Sequence, residues 1–217
     1  MPDMPSDLDC IYQEAIFSLE CPESHSYSSL FFQSTEENHD SCFMHLNLPQ
    51  STVPGAGNIK CSLALFEVIG QIAAKDCYLT KFGDEWLFPE DEESKTAYSC
   101  WIEPRCADMV SLIHWRNVAR GLDMIVVAAP APIETIHTIR ADPETDSVKI
   151  QVSWRPLAGQ TVEDTFPLYD SAGNRRVPAS EEEVPFGQPV HVLFHLECVM
   201  YEGIRYLFAH LLGVREI

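Results

Sequence analysis

The stretch PVHVLFHLECVMYEGIRYLFAHLLGVREI, from Pro189 to Ile217, constrains what this chain can fold into more than any other part of it. Val190, Val192, Phe194, Leu196, Cys198 and Met200 occupy alternate positions, with His191, Leu193, His195, Glu197 and Val199 between them. A period of two marks a strand with one apolar face. Glu202-Gly203 then reads as a two-residue hairpin turn. Counting outward from it, Tyr201 pairs with Ile204, Val199 faces Tyr206, Glu197 faces Phe208 and His195 faces His210. A slip of one residue would move every side chain to the opposite face. Ile204, Leu207, Phe208 and Leu211 also satisfy a helical spacing, so a helix over residues 204–215 is the competing expectation.

Upstream, IKCSLALFEVIG and TAYSCWIEP read as strands, and DCYLTKFGDEWLF as two short strands joined at Phe82-Gly83-Asp84. IETIHTIR and SVKIQVSW flank ADPETD as a hairpin, and Ser171 to Asn174 mark another turn. The best helix is ADMVSLIHWRNVARG, with Asp108 as its N-cap, Met109, Leu112 and Ile113 as its apolar stripe and Gly121 at its end. MIVVAAPAP after it reads as a buried strand stopping at Pro130. Many short strands with regular turns predict a mainly β fold: a β-rich sandwich or a small Greek-key, OB-like barrel, with one or two short helices.

Charge divides the chain. Its 217 residues carry a formal net charge of −19, and the first basic residue is Lys60. Residues 1–57 are therefore expected to form an acidic, largely flexible segment with short apolar islands (DCIYQEAIFSLEC, SSLFF, CFMHLNL), and residues 58–217 a single β-rich domain. One of those islands adding an element to the domain is the alternative. Such acidity repels phosphate backbones and anionic membrane surfaces. The N-terminus has no basic and apolar leader, and no window reaches the ~18–20 apolar residues of a membrane span. An intracellular protein, cytoplasmic or nuclear, is expected. Its eight cysteines, none at zinc-knuckle spacing, then read as buried free thiols.

Catalytic signatures are missing: there is no phosphate-binding glycine loop, no His-Glu-x-x-His and no Gly-x-Ser-x-Gly. The leading expectation is a non-enzymatic interaction module whose acidic, aromatic-bearing N-terminal segment contacts a protein partner, with no cofactor. Two alternatives stand beside it. An OB-like barrel could bind single-stranded nucleic acid through stacking and a few cations, with Trp154, Arg155, Arg175 and Arg176 as the candidate contacts. The expected hairpin register could also gather His195, His210 and Glu197 as ligands for a divalent metal in a metal-dependent enzyme. His191 lies roughly 13 Å along the strand from His195, too far to share that metal, and reads as an ordinary strand residue.

Overall fold

The C-terminal segments form one antiparallel hairpin, Pro189–Tyr201 against Ile204–Glu216, in the register counted from the turn. Tyr201 pairs with Ile204, Glu197 with Phe208 and His195 with His210. Gly203 takes a φ of 78°, which the tight turn requires and a glycine adopts without strain. Strand pairing thus prevails over the helical spacing of residues 204–215.

This structure, a computed structural model, describes residues 16–18, 30–34, 41–47, 61–81, 84–85, 96–105, 109–129, 132–135, 138–142, 147–156, 160–201 and 203–217. In chain order the first strands are β1 (Ile16–Ser18), β2 (Leu30–Ser34), β3 (Ser41–Asn47), β4 (Cys61–Leu63), β5 (Leu65–Ile72), β6 (Asp84–Glu85) and β7 (Thr96–Glu103). Helix α1 (Met109–Ala128) precedes β8 (Ile133–Glu134), β9 (Ile139–Asp142) and β10 (Ser147–Trp154). A short helix α2 (Val162–Thr165) leads to β11 (Leu168–Tyr169) and β12 (Arg175–Arg176), and the hairpin supplies β13 (Pro189–Tyr201) and β14 (Ile204–Glu216).

Five of these strands close on themselves. β5 pairs with β7, β7 with β10, β10 with β14, β14 with β13, and β13 returns to β5. Only the β10–β14 contact in this ring is parallel. A closed five-stranded ring is the OB-like barrel alternative of the expected mainly β fold, and closure removes the edges that an open sheet would expose. The remaining strands extend it: β2, β3 and β4 beyond β13, β1 on β5, β6 on β7, β9 on β10, and β8, β11 and β12 on the β14 side. Three of these, β1, β2 and β3, come from within residues 1–57, so the segment expected to be largely flexible contributes strands to the same sheet.

Alternation along the strands builds the interior. Phe66, Val68 and Ile72, then Val190, Val192, Phe194, Leu196 and Cys198, then Leu207, Ala209, Leu211 and Val214, are all buried. Phe66 and Phe194 stack at 5.9 Å inside the barrel. The residue pattern of β13 expected from the sequence is therefore the one that folds, except that Met200 is half-buried.

Helix α1 departs from expectation. It runs on through Gly121 to Ala128 and absorbs the segment expected as a buried strand. Its inward stripe is Trp115, Val118, Leu122 and Ile125, at helical spacing, while Met109 and Ile113 of the expected stripe are exposed. Gly121 lies buried beside that stripe and does not end the helix. The helix stops at Ala128, before Ala129, whose place ahead of a proline in the sequence disfavours helical geometry. The expected N-cap Asp108 lies outside the described residues. Residues 77–79, expected as a strand, form none, although Tyr78 N–H still donates to the Ser99 carbonyl at 2.7 Å. No described helix is long and apolar enough to cross a membrane.

The helix is fixed to the barrel at one point of close approach. Trp115 is fully buried, and its Nε1–H donates to the carbonyl of Ile69 at 2.9 Å. Its indole lies on Gly70, where an added Cβ would meet Trp115 Cζ2 at 2.7 Å, the Glu103 carbonyl at 2.8 Å and Ile102 at 2.9 Å. Two of those neighbours, an indole and a backbone carbonyl, cannot swing away. Gly70→Ala is therefore expected to cost about 1–3 kcal/mol, as overpacking of a full core does. Urea unfolding of the variant beside the parent protein measures it, and an unchanged midpoint would contradict the close packing.

Candidate nucleic-acid interface

Directly opposed residues on neighbouring strands share a face of the sheet. Five such residues run across five strands on the outer face: Ile69 opposes His191, His191 opposes Arg215, Arg215 opposes Tyr169 and Tyr169 opposes Arg175. At ordinary strand spacing this row spans roughly 19 Å. Ile69, Arg215 and Arg175 are exposed, and His191 and Tyr169 are half-buried. A groove of about 470 Å³ lies beside it, lined by Glu67, Ile69, Ser171, His191, Arg215 and Ile217 among others.

Each polar member of the row is held in place. The Arg175 guanidinium lies over the Tyr169 ring, 5.6 Å from its centroid, and donates to the Tyr169 hydroxyl at 3.1 Å. Arg215 donates to the carbonyl of Ser171 at 3.2 Å, tying the row to the β11–β12 turn. That turn is itself fixed by Asp170, which accepts from the backbone and side chain of Asn174 at 2.8 and 3.1 Å; these bonds hold its carboxyl below the usual range. His191 Nε2–H donates to Glu67 at 3.0 Å, since a carboxylate can only accept. Arg175 and Arg215 thus spend their hydrogen bonds here on neutral oxygens, which leaves their charge for an incoming anion.

The opposite flank of the barrel, across β7 and β10, is different. Arg140 lies over Trp101 at 4.5 Å, a second guanidinium on a ring. But Asp76 stands 3.9 Å from Arg140, and Lys149 is paired with Glu103 at 2.5 Å. Trp101 is only 4% exposed. Its cations are compensated and its ring is covered, so the two-arginine row is the better anion-facing surface.

Of the residues singled out in the sequence, Arg175 belongs to the row. Arg176 follows it but is paired with Glu216 at 2.5 Å and donates to the Glu183 carbonyl at 3.1 Å. Trp154 packs against Tyr98 and Phe166 at 5.1 and 5.3 Å, in an aromatic cluster at the margin of the core. Arg155, exposed, follows the end of β10 and is not part of the row. Sequence reasoning missed Tyr169, Arg215 and the role of His191. Counting outward from a Ser171–Asn174 turn would set Tyr169 opposite Arg176; the actual loop is tighter, closed by Asp170 N–H on the Asn174 carbonyl at 2.9 Å, and this brings Arg175 opposite Tyr169.

The candidate metal ligands do converge, but as a stacked pair. The His195 and His210 rings lie 5.0 Å apart at 27°, and His210 Nε2–H donates to Glu197 at 2.5 Å. Stacked rings set their nitrogens side by side rather than aiming them at one point, as tetrahedral coordination needs. Among the described residues, no group of three or more His, Cys, Asp or Glu side chains is placed to hold a metal ion.

Within this pair, one imidazole is hard to protonate, chiefly because it is buried. Burial pushes His195 from its ordinary 6.5 down to about 4; the adjacent His210 adds to this and Glu197 opposes it. Between those two values the unfolded chain binds a proton that the folded chain refuses, so folding stability is full above pH 6.5 and declines as the pH falls toward 4. The loss amounts to roughly 3 kcal/mol over that window. His195→Phe keeps a ring in the stack and removes the titration. Urea titrations across the window should give a shallower fall in the variant, by up to ~1.4 kcal/mol per pH unit, and equal slopes would contradict this origin.

No family model and no curated protein match this chain. Solved structures do. The single-stranded DNA-binding protein from bacteriophage Enc34 in complex with ssDNA is 12% identical over 87% of this chain and 95% of its own, with a TM-score of 0.43. Its C-terminal truncation matches over 87% and 93%, at 12% identity and a TM-score of 0.42. Crystalline gp2.5, a single-stranded DNA-binding protein encoded by bacteriophage T7, is 13% identical over 70% of this chain and 85% of its own, with a TM-score of 0.40. These titles run against the protein-interaction module, and against the protein partner, expected from the sequence. The described parts of the apolar islands that motivated that expectation are also occupied as strands β1, β2 and β3. That expectation is withdrawn.

Proposed function

We propose that this chain is a non-enzymatic, single-stranded nucleic-acid-binding barrel that holds its ligand along the row Ile69, His191, Arg215, Tyr169 and Arg175. The row itself supports the reading, and the likeness to solved structures is not needed for it. Arg175, flattened over Tyr169, offers a guanidinium plane on which an unstacked base can lie, and Arg215 offers donors to a phosphate. Bases are available for stacking only where the strand is single. An intracellular setting accords with the buried, unoxidised thiols of Cys77 and Cys100. Burial pushes the Cys77 thiol up to about 11, so it stays protonated and inert.

The net charge of −19 bears on how such binding behaves. A broad basic field is absent, so contact is local and involves few phosphates. One phosphate contact, at Arg215, implies a salt slope of roughly −0.7, since each phosphate on a single strand contributes about that much. That is shallower than a strongly basic binder would show.

Fluorescence anisotropy with a labelled, mixed-sequence oligonucleotide at low salt tests this. Binding should be present, should weaken with the shallow slope above, and should fall roughly five- to a hundredfold in Arg175→Ala, the loss of one stacking contact. Arg215→Ala should also weaken binding and flatten the slope. No binding by the parent protein at low salt would overturn the proposal.

A further inference from the structure

We infer that the groove beside the row is a base pocket that selects cytosine over thymine, through the carboxylate of Glu67. This rests on the nucleic-acid reading of the same surface and adds to it a preference that the row alone does not contain.

The walls and the polar groups of the groove have different jobs. Ile69 is 45% exposed and Ile217 63% exposed, so both offer apolar surface where nothing covers them. Exposed isoleucines lining a groove suit the flat, apolar face of a base. The volume of about 470 Å³ falls in the ordinary range for small-ligand pockets, ~300–1,000 Å³.

The polar groups set the pattern of donors and acceptors. Glu67 is a pure acceptor when ionised, with about four lone-pair sites, of which His191 Nε2–H occupies one. The Glu67 side chain is 33% exposed and lines the groove, so it can accept a further hydrogen bond there. Arg215 has five N–H donors, and one nitrogen is engaged by the Ser171 carbonyl. The groove thus pairs an acceptor from β5 with donors from β14, on either side of His191.

Cytosine carries an amino donor at N4, and acidic side chains read it by accepting from that group. Beside that amino group its ring offers acceptors that suit Arg215. Thymine presents the O4 carbonyl where cytosine has its amino group, so a carboxylate there meets an acceptor and repels it. Both are pyrimidines of equal ring size, so apolar contact with Ile69 and Ile217 does not distinguish them. Glu216 also lines the groove, but its carboxylate is paired with Arg176 at 2.5 Å, so discrimination falls to Glu67.

Anisotropy with deoxycytidine and deoxythymidine homopolymers of about 12 nucleotides, in low salt, tests the inference. The deoxycytidine strand should bind about tenfold tighter. Glu67→Gln replaces one acceptor oxygen with a donor amide and should collapse that ratio toward unity. Equal binding of the two strands by the parent protein, or tighter binding of deoxythymidine, overturns the base preference and leaves the nucleic-acid reading standing. A preference that survives Glu67→Gln overturns the assignment to Glu67. Binding of neither strand overturns the underlying reading, which separates the two failures, and the comparison on the parent protein does not depend on how the variant folds.

Discussion

Strand β14 uses both of its edges along its length, and most of the architecture follows from that. One edge takes β13 in a long antiparallel hairpin. The other takes β8, β10 and β11 in succession, all parallel to it. Its pairing with β10 closes the barrel, and its pairing with β11 carries the β11–β12 hairpin to the outer face. Without the first, the buried residues of β7 and β10 would lose the far wall of their core. Without the second, Tyr169 and Arg175 would not stand beside Arg215. An unpaired edge of this length would also be a template for association with other chains.

The surface chemistry follows from which charges are already compensated. Arginine and aromatic side chains meet on both flanks of the barrel, Arg140 on Trp101 and Arg175 on Tyr169. On the β11–β14 flank Arg175 and Arg215 are hydrogen-bonded to neutral oxygens. Carboxylates beside Arg140 and Lys149 cancel the field on the other flank. In a chain this acidic, such local differences decide where an anion can approach, and net charge sets only the background.

Much of the barrel was legible in local patterns. Alternation in β13, the Glu202-Gly203 turn and the hairpin after Arg140 each depend on residues close in sequence, and strand geometry turns them directly into pairing. Helix α1 was only half legible, because its outer face carries Met109, Ile113, Met124 and Val127 among Arg116, Arg120 and Asp123, which blurs the contrast with the face it buries. With apolar residues on both faces, periodicity chooses poorly; Trp115 packing on Gly70 made the choice. The His195–His210 contact was likewise readable, but its stacked geometry was not, since register sets which residues meet and not how their rings turn.

The binding row shows where local information ends. The Ser171–Asn174 turn read from the sequence sets Tyr169 opposite Arg176, and only the tighter loop closed between Asp170 and Asn174 brings Arg175 there. Sequence alone determined that His191 lies on the polar face of β13, because a period of two suffices for that. Counting from the hairpin turn, however, sets His191 opposite Val214, whose side chain points inward. A register shift between Leu193 and Phe194, accommodating Leu212 as an extra residue in β14, moves the partner to Arg215. Glu67 and Ile69 join His191 only because β5 pairs with β13, more than a hundred residues away in the chain. Bulge position and long-range pairing depend on how the whole barrel closes around its core, and no local pattern of residues encodes that closure.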